Sequence, residues 1–562
     1  LQVMFVSSVS TTRSEFESGK QNPPIRPLEP QFAGSALWAH SLASKVQANF
    51  DALSSKLKPV LSHRHLEEAR DVSTAFLNAI RDFKVNRYTH WINDLTEKAK
   101  DNGLYLRLEK PILARVEVDP NTVAQHGGGR QFAEIVCNFD QDLIALFTEV
   151  IYWEKFHGDF SIPYAAHDLC NKKEQLRIMR ENVSHIVRAY NDIIRDITAE
   201  ERRLFIDHLR KLDRRINQGL TKLTWQSKNM IDMYVRDCVG NCQDTHAIVK
   251  EFKECKNTVN RTCKQMSSAL LIKVDKNIIY EESMFEARQQ EHRVAISNQF
   301  ETGYGKIMTF LKHIYKNFRE GSAEVQREWR SQIAQIDKNM EASLKHCVKR
   351  SLQELSKCIN GDSKTDPQTI FTVKIVLEHN KVTYRPSMMN LTHSVNIVAK
   401  DIISVVTGVS RIRGQTFDNH AAPTATVAID VPADGIQIAA VTDDSKYKPY
   451  YDVISDDADI LRIVVQVMNG MSSSATELQK YLSYWDKYKA LWEMDKEFFT
   501  RRYAKANRTP AQFDDDISRY RLQQAEIQGE AISHTINFVR VDCNTMKDSL
   551  VGHCMQCQNK LT

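Results

Sequence analysis

A chain of 562 residues is too long for one hydrophobic core and should divide into roughly three to five units of about 100–200 residues. Hydrophobic residues at 42%, charged residues at 26% and only 19 Gly and 14 Pro exclude a disordered, collagen-like or loop-rich secreted chain. The 76 basic and 71 acidic residues give a formal charge of +5 and alternate along the sequence, which argues against a nucleic-acid binder.

Scarce turn residues favour long helices over hairpins, since each hairpin consumes Gly, Asn or Asp at its turn. The 11 cysteines are odd in number and widely spaced, the usage of free thiols in a reducing, cytoplasmic compartment. Leu1 to Ser10 lack the basic start and apolar core of a targeting segment. No run approaches the roughly 18 apolar residues of a membrane span. The expectation is a piece of a longer cytosolic protein that binds neither membrane nor nucleic acid.

Residues 1–130 form the first segment, helical with a Pro-rich stretch at Pro23, Pro24, Pro27 and Pro30 and a turn at Gly127-Gly128-Gly129. Helical runs within it are Leu53, Leu57, Val60, Leu61 and Val72, Phe76, Ile80, Phe83. The segment 131–360 reads as helical bundles. From Leu176, apolar residues at Met179, Val183, Ile186, Val187, Tyr190, Ile193, Ile194 and Ile197 fall in steps of three and four, which places them on one helix face. Thr198 and Glu201 have the spacing of a capping box, so a second helix is expected from there, with Phe205, Leu209, Leu212 and Ile216 inward and Arg203, Asp207, Arg210 and Arg214 outward. A short connection between the two predicts antiparallel packing. Residues 325–355 predict a long helix with Trp329, Ile333, Ile336, Met340, Leu344, Val348, Leu352 and Leu355 inward, ending at Asn360-Gly361-Asp362.

The segment 361–450 opens on the polar stretch 363–367. Alternation at Phe371, Val373, Ile375 and Leu377, then at Val382 and Tyr384, predicts a β-hairpin at about 370–385. Residues 411–448 hold no lasting period and read as a long loop or short strands. The segment 451–562 reads as a C-terminal bundle. Its helix carries Ile460, Leu478, Leu482, Trp485, Tyr488, Leu491 and Trp492 towards Phe498 and Phe499 and is broken by Pro510. A later helical region holds Ile517, Tyr520 and Leu522, followed by a strand over 536–542 and a helix over 546–561.

Catalytic chemistry is hard to find. A phosphate loop needs Gly-x-x-x-x-Gly-Lys-Ser/Thr, and the nearest pair, Gly305-Lys306, has Phe300 and Ile307 where Gly and Ser/Thr are required. Cys238, Cys242 and His246 share a helical ridge with zinc-ligand spacing, with Cys255 or Cys263 the nearest fourth ligand. Core thiols are the favoured reading, as they are for the pair Cys554 and Cys557. Neither Gly-x-Ser-x-Gly nor His-Glu-x-x-His occurs. The aromatic group Tyr481, Tyr484, Trp485, Tyr488 and Trp492 reads as core before partner hot spot, and the Arg203, Arg210 and Arg214 face as solvated before acidic-partner site. No catalytic, cofactor-binding or metal-binding residue is assigned, and no cofactor is expected.

Four segments carry a family resemblance: 212–225, LDRRINQGLTKLTW; 351–362, SLQELSKCINGD; 484–498, YWDKYKALWEMDKEF; and 539–550, VRVDCNTMKDSL. In their order, over about the last three quarters of the chain, they resemble the N-terminal tail (stem) region of dynein heavy chains, the axonemal branch better than the cytoplasmic one. The resemblance implies a mainly α fold, an elongated array of stacked helical bundles with the small hairpin as an insertion. It implies a non-catalytic scaffold in the ciliary axoneme, a part of the cytoskeleton, that binds dynein intermediate chains, light chains and a second heavy chain and reaches the doublet microtubule through the assembled arm. ATP-driven movement would belong to the parent motor. The rival readings are a helical tether of the vesicle-trafficking kind and an enzyme on an α-helical fold, which would need a pocket of converging perturbed groups.

Overall fold

The computed structural model describes residues 2–57, 63–116, 132–362, 364–378, 381–415, 417 and 447–562. Val60, Leu61, the Gly127-Gly128-Gly129 turn, Ser363 and most of 411–448 lie outside the described residues. The chain falls into two compact units, Leu1–Lys250 and Glu251–Thr562. Helices dominate both, and the sheets are small.

The first unit begins with α1 (Gln2–Gly19), α2 (Gln31–Leu57) and α3 (His63–Ala99). Their shared core holds Phe5, Val9, Phe16, Leu42, Phe76 and Phe83. The Phe16 ring meets Phe76 and Phe83 edge-on at centroid distances of 5.8 and 5.4 Å, the arrangement that the charge distribution of aromatic rings prefers. Of the predicted run in α3, Phe76, Ile80 and Phe83 are buried, whereas Val72 is 39% exposed.

Two strands not expected from the sequence follow, β1 (Leu113–Arg115) and β2 (Ile135–Cys137), paired antiparallel. Then come α4 (Gln141–Glu154), α5 (Tyr164–Asn171) and α6 (Lys173–Asp196). Glu149 of α4 accepts from the amides of Phe32 and Ala33, both at 2.8 Å, and so caps the start of α2, where helix amides have no partner of their own. In α6 the expected stripe is buried at Leu176, Met179, Val183, Ile186, Tyr190, Ile193 and Ile194. Asn191 lies beside that stripe, and its amide side chain bonds both the N–H and the C=O of Ile135 at 2.9 Å, fastening β2 to the helix.

Thr198 and Glu201 do form a reciprocal capping pair, at 3.2 and 3.3 Å. A single 3-10 turn follows, however, and the α-helix α7 begins only at Ile206 and runs to Thr221. Leu209, Leu212 and Ile216 face inward as expected. Next is the long helix α8 (Lys228–Ser268), within which the boundary between the two units falls. Asn182–Asp232 at 3.0 Å and Asp196–His246 at 2.8 Å rise together in number, so α6 and α8 run parallel. Contacts of Arg215 with Asp237 and of Ile216 and Gly219 with Tyr234 run in opposite senses, so α7 is antiparallel to both. Gly219 permits this approach, since a Cβ there would lie 2.5 Å from the Tyr234 hydroxyl.

The second unit is built on α9 (Glu282–Tyr315) and α10 (Ala323–Asn360). Ser322 caps α10 by accepting from the Val325 amide at 3.5 Å, and every residue of the predicted inward stripe is buried. The helix stops at Gly361, whose φ of +70° costs glycine little. Asp362 then accepts from the amides of Lys364 and Thr365 at 2.8 Å and pairs with Lys357 at 3.2 Å. These bonds, the Lys364 amide foremost, pull its carboxyl from 3.8 down to about 2. A depressed carboxyl contributes stability that is present above 3.8 and lost as pH falls through about 2. Asp362→Asn is therefore expected to flatten the acid limb of a pH–stability curve over that window, and an unchanged limb would contradict the turn's role.

β3 (Phe371–Glu378) and β4 (Lys381–Arg385) form the expected hairpin. It does not stand alone. The predicted strand over 536–542 is itself a hairpin, β5 (Ser533–Ile536) and β6 (Val539–Asp542), turning at Asn537 with φ +51°. β6 adds to β3 in parallel, giving a four-stranded sheet in the order β4-β3-β6-β5. Between the hairpins lie α11 (Met388–Ser404), α12 (Tyr450–Ser455), α13 (Ala458–Trp485), α14 (Lys496–Ala504) and α15 (Pro510–Gly529), and α16 (Asn544–Leu561) follows β6. α13 lies parallel to α10: Lys345 pairs with Asp457, Lys349 with Asp459 at 2.6 Å, and Asn360 donates to the Gln466 carbonyl at 3.1 Å. Pro510, expected as a breaker, opens α15 at its first position behind a Thr509–Gln512 capping box, where a missing N–H costs nothing. Ile517 and Tyr520 are buried there, while Leu522 is 72% exposed.

Candidate functional site

Gly305 and Lys306 sit in the middle of α9. A phosphate loop works by turning free backbone amides towards the phosphates, whereas amides in a helix interior are bonded to the preceding turn. A cleft of about 680 Å³ lies beside Trp329, Arg327, Arg330, Arg413 and Phe417. Among the described residues that line it there is no carboxylate, imidazole or thiol to serve as base or nucleophile.

Cys238 and Cys242 are buried on α8, where burial pushes their thiols up to about 11 and 12. His246, the third member of the ridge, turns its Nε2 to Asp196 of α6. Cys255 and Cys263 are buried farther along the same helix. Cys554 and Cys557 are buried in α16, with burial pushing Cys554 to about 11 and Cys557 also upward.

The aromatic group divides. Trp485 and Tyr488 are core, at 1 and 2% exposure, whereas Tyr484 is 44% exposed and carries the Lys487 ammonium 4.2 Å from its ring centre. On α7 and the turn before it, the structure keeps Arg203, Arg210 and Arg214 on the solvent side.

A polar cluster that the sequence reading missed lies inside the second unit. Asp337 of α10 is 4% exposed. Its Oδ1 accepts from the amides of Ile412 and Arg413 at 2.9 and 3.2 Å and from the Tyr450 hydroxyl at 2.7 Å. Its Oδ2 accepts from Arg411 at 2.8 Å. Arg411 also reaches Glu341 at 2.6 Å, the Lys448 carbonyl at 2.8 Å and the face of the Tyr450 ring at 4.3 Å. Burial, reinforced by the Asp337 carboxylate, pushes the Tyr450 phenol far above its ordinary value, so it remains a donor. One carboxylate thus fastens both the chain following α11 and the start of α12 to α10. Its sequence signal was an Asp on the apolar stripe, four residues after Ile333 and three before Met340, where the helical period assigns a core position and a carboxylate needs buried partners.

The geometry is that of packed helices with buried polar fastenings, and the comparisons with known proteins agree. The family model for the dynein heavy chain, N-terminal region 1, matches residues 1–234. The whole chain is 31% identical over 566 residues to the dynein-1-beta heavy chain of the flagellar inner arm I1 complex of Chlamydomonas reinhardtii. Residues 1–234 thus match the dynein heavy chain family. It is also 29% identical over 568 residues to dynein axonemal heavy chain 2 of Homo sapiens, and 97% of it aligns at 21% identity with the dynein gamma chain of the flagellar outer arm of Chlamydomonas reinhardtii. It spans 12% of the length of the first two relatives and 11% of the third.

The four segments that carry the dynein resemblance hold packing positions. Leu212, Ile216, Gly219, Leu223 and Trp225 are buried in the first, and Ser351, Leu352, Leu355, Cys358 and Ile359 in the second. Trp485, Tyr488 and Leu491 are buried in the third, and Val539, Val541, Met546 and Leu550 in the fourth. The buried positions of these four segments fix how the helices and the sheet fit together.

Proposed function

We propose that the chain is the non-catalytic tail region of an axonemal dynein heavy chain, a scaffold that holds intermediate chains, light chains and a second heavy chain. Through the assembled arm it would anchor the motor to the doublet microtubule in the ciliary axoneme. The observation that carries this reading is the alignment of the chain, from end to end, with axonemal heavy chains at 31 and 29% identity. Helices packed along their length suit the task, because burying an apolar stripe over many turns gives a stiff element with partner-facing surfaces between its ends. Identity to the dynein-1-beta heavy chain, 31%, exceeds that to the outer-arm gamma chain, 21%, and that to the dynein-1-alpha heavy chain of the same inner arm, 20%, so the likeness is to one type of heavy chain and not to an arm class.

ATP-driven movement would reside elsewhere in the parent motor. The isolated chain is expected to show no thermal stabilisation by ATP with magnesium and no ATP turnover above buffer. A shift in melting temperature that saturates with ATP, or measurable phosphate release, would refute this part of the reading.

A further inference from the structure

The solvent face of α7 and of the turn before it carries more charge than the fold uses. Arg203, Arg210, Lys211 and Arg214 are exposed on this face, which covers about 16 Å of helix axis from Arg203 to Arg214. The carboxylates nearby are directed elsewhere. Asp213 turns to Arg115 of β1, Asp237 of α8 takes Arg215 at 3.0 Å, and Glu201 is buried in its capping pair with Thr198. Asp207 serves Arg210 at 3.3 Å, and Glu200 stands at the edge of the face without bonding Arg203. Arg203, Lys211 and Arg214 have no ion-pair partner among the described residues.

We infer that this face docks an acidic segment of a partner polypeptide, rich in Asp and Glu. Guanidinium groups one and two turns apart present forked donors that match carboxylates, and a complementary chain of opposite sign would replace the missing intramolecular partners. The surroundings favour a polypeptide over other polyanions. The exposed residues of the face include no aromatic ring on which a base could stack. They include no apolar side chain to enter a lipid surface, since Phe205, Leu209, Leu212 and Ile216 are all committed to the core. This inference rests on charge and exposure and is independent of the tail assignment.

The test uses the full chain and a fluorescein-labelled decaglutamate peptide, followed by anisotropy at low and physiological salt. The triple variant Arg203→Ala, Lys211→Ala, Arg214→Ala removes the unpaired cations. The triple variant Lys264→Ala, Lys312→Ala, Lys338→Ala removes the same charge from exposed positions on other helices. Circular dichroism and melting verify that both remain folded. Binding should weaken about tenfold in the α7 variant, the summed effect of a few exposed ion pairs, and change less than about twofold in the control, with salt weakening the wild-type complex. Equal weakening in both variants would mean that net charge alone attracts the peptide and would overturn the proposal, as would no binding by the wild type. Tighter binding of an oligodeoxythymidine of equal charge at the same face would overturn it in favour of nucleic acid.

Discussion

Replacing Asp337 by alanine should lower the stability of the second unit by about 3–5 kcal/mol, the cost of removing one partner from a buried charged pair. The loss would be large because the partners cannot recover. Arg411 has only 13% of its side chain exposed, Tyr450 is fully buried, and the Ile412 amide sits against a buried backbone. Without the carboxylate a phenol and two amides lose their acceptor together, and the guanidinium is left with Glu341 and the Lys448 carbonyl. Glu341→Ala removes a contact to the same arginine from a side chain that is 30% exposed, and should cost about 1 kcal/mol or less, within the range of solvent-screened pairs. Denaturant melts of the two variants give the comparison, and similar midpoints would contradict a clamp centred on Asp337. Lys448→Ala leaves the clamp intact, because Arg411 bonds the carbonyl of Lys448 and not its side chain.

The second large effect is expected at Leu344, fully buried near the middle of α10. Leu344→Ala removes apolar volume from a close-packed interior and leaves a cavity, a change that costs about 2–5 kcal/mol in general. Lys338, six residues earlier and exposed, lies off that stripe, and Lys338→Ala should cost about 0.5 kcal/mol or less. Equal stabilities would overturn the assignment of α10 as the spine of its unit. A mutant destabilised by the expected amount but with undiminished partner binding would separate packing from assembly.

The long helices were legible because their cores are written in one period. Trp329, Ile333, Ile336, Met340, Leu344, Val348, Leu352 and Leu355 mark a stripe that needs no tertiary information. The hairpin of β3 and β4 was legible for the same reason at period two. The parallel contact between β3 and β6 was not, because it joins residues more than 160 positions apart, and strand pairing at that range leaves no local signal. β1 and β2 were missed because three residues are too few to display alternation, and β2 is held in part by the Asn191 side chain. Pro510 separates two helices as expected and also opens the second of them, because a residue that cannot continue a helix is favoured at the first position of the next, and only the Thr509–Gln512 pair announces that second role. Where function was concerned, the sequence offered family segments and a charged face, whereas the Asp337 clamp depended on chain crossings visible only in three dimensions.

The most direct measurement of the scaffold account is co-precipitation of intermediate chains from ciliary extract by the purified full chain, wild type beside Leu344→Ala and Lys338→Ala, at a temperature where only the first variant is partly unfolded. The account predicts that the wild type and Lys338→Ala recover intermediate chains equally and that Leu344→Ala recovers them in proportion to its folded fraction, because partners recognise faces that packed helices hold in place. Failure of the wild type to recover any intermediate chain, or full recovery by an unfolded Leu344→Ala, would contradict it.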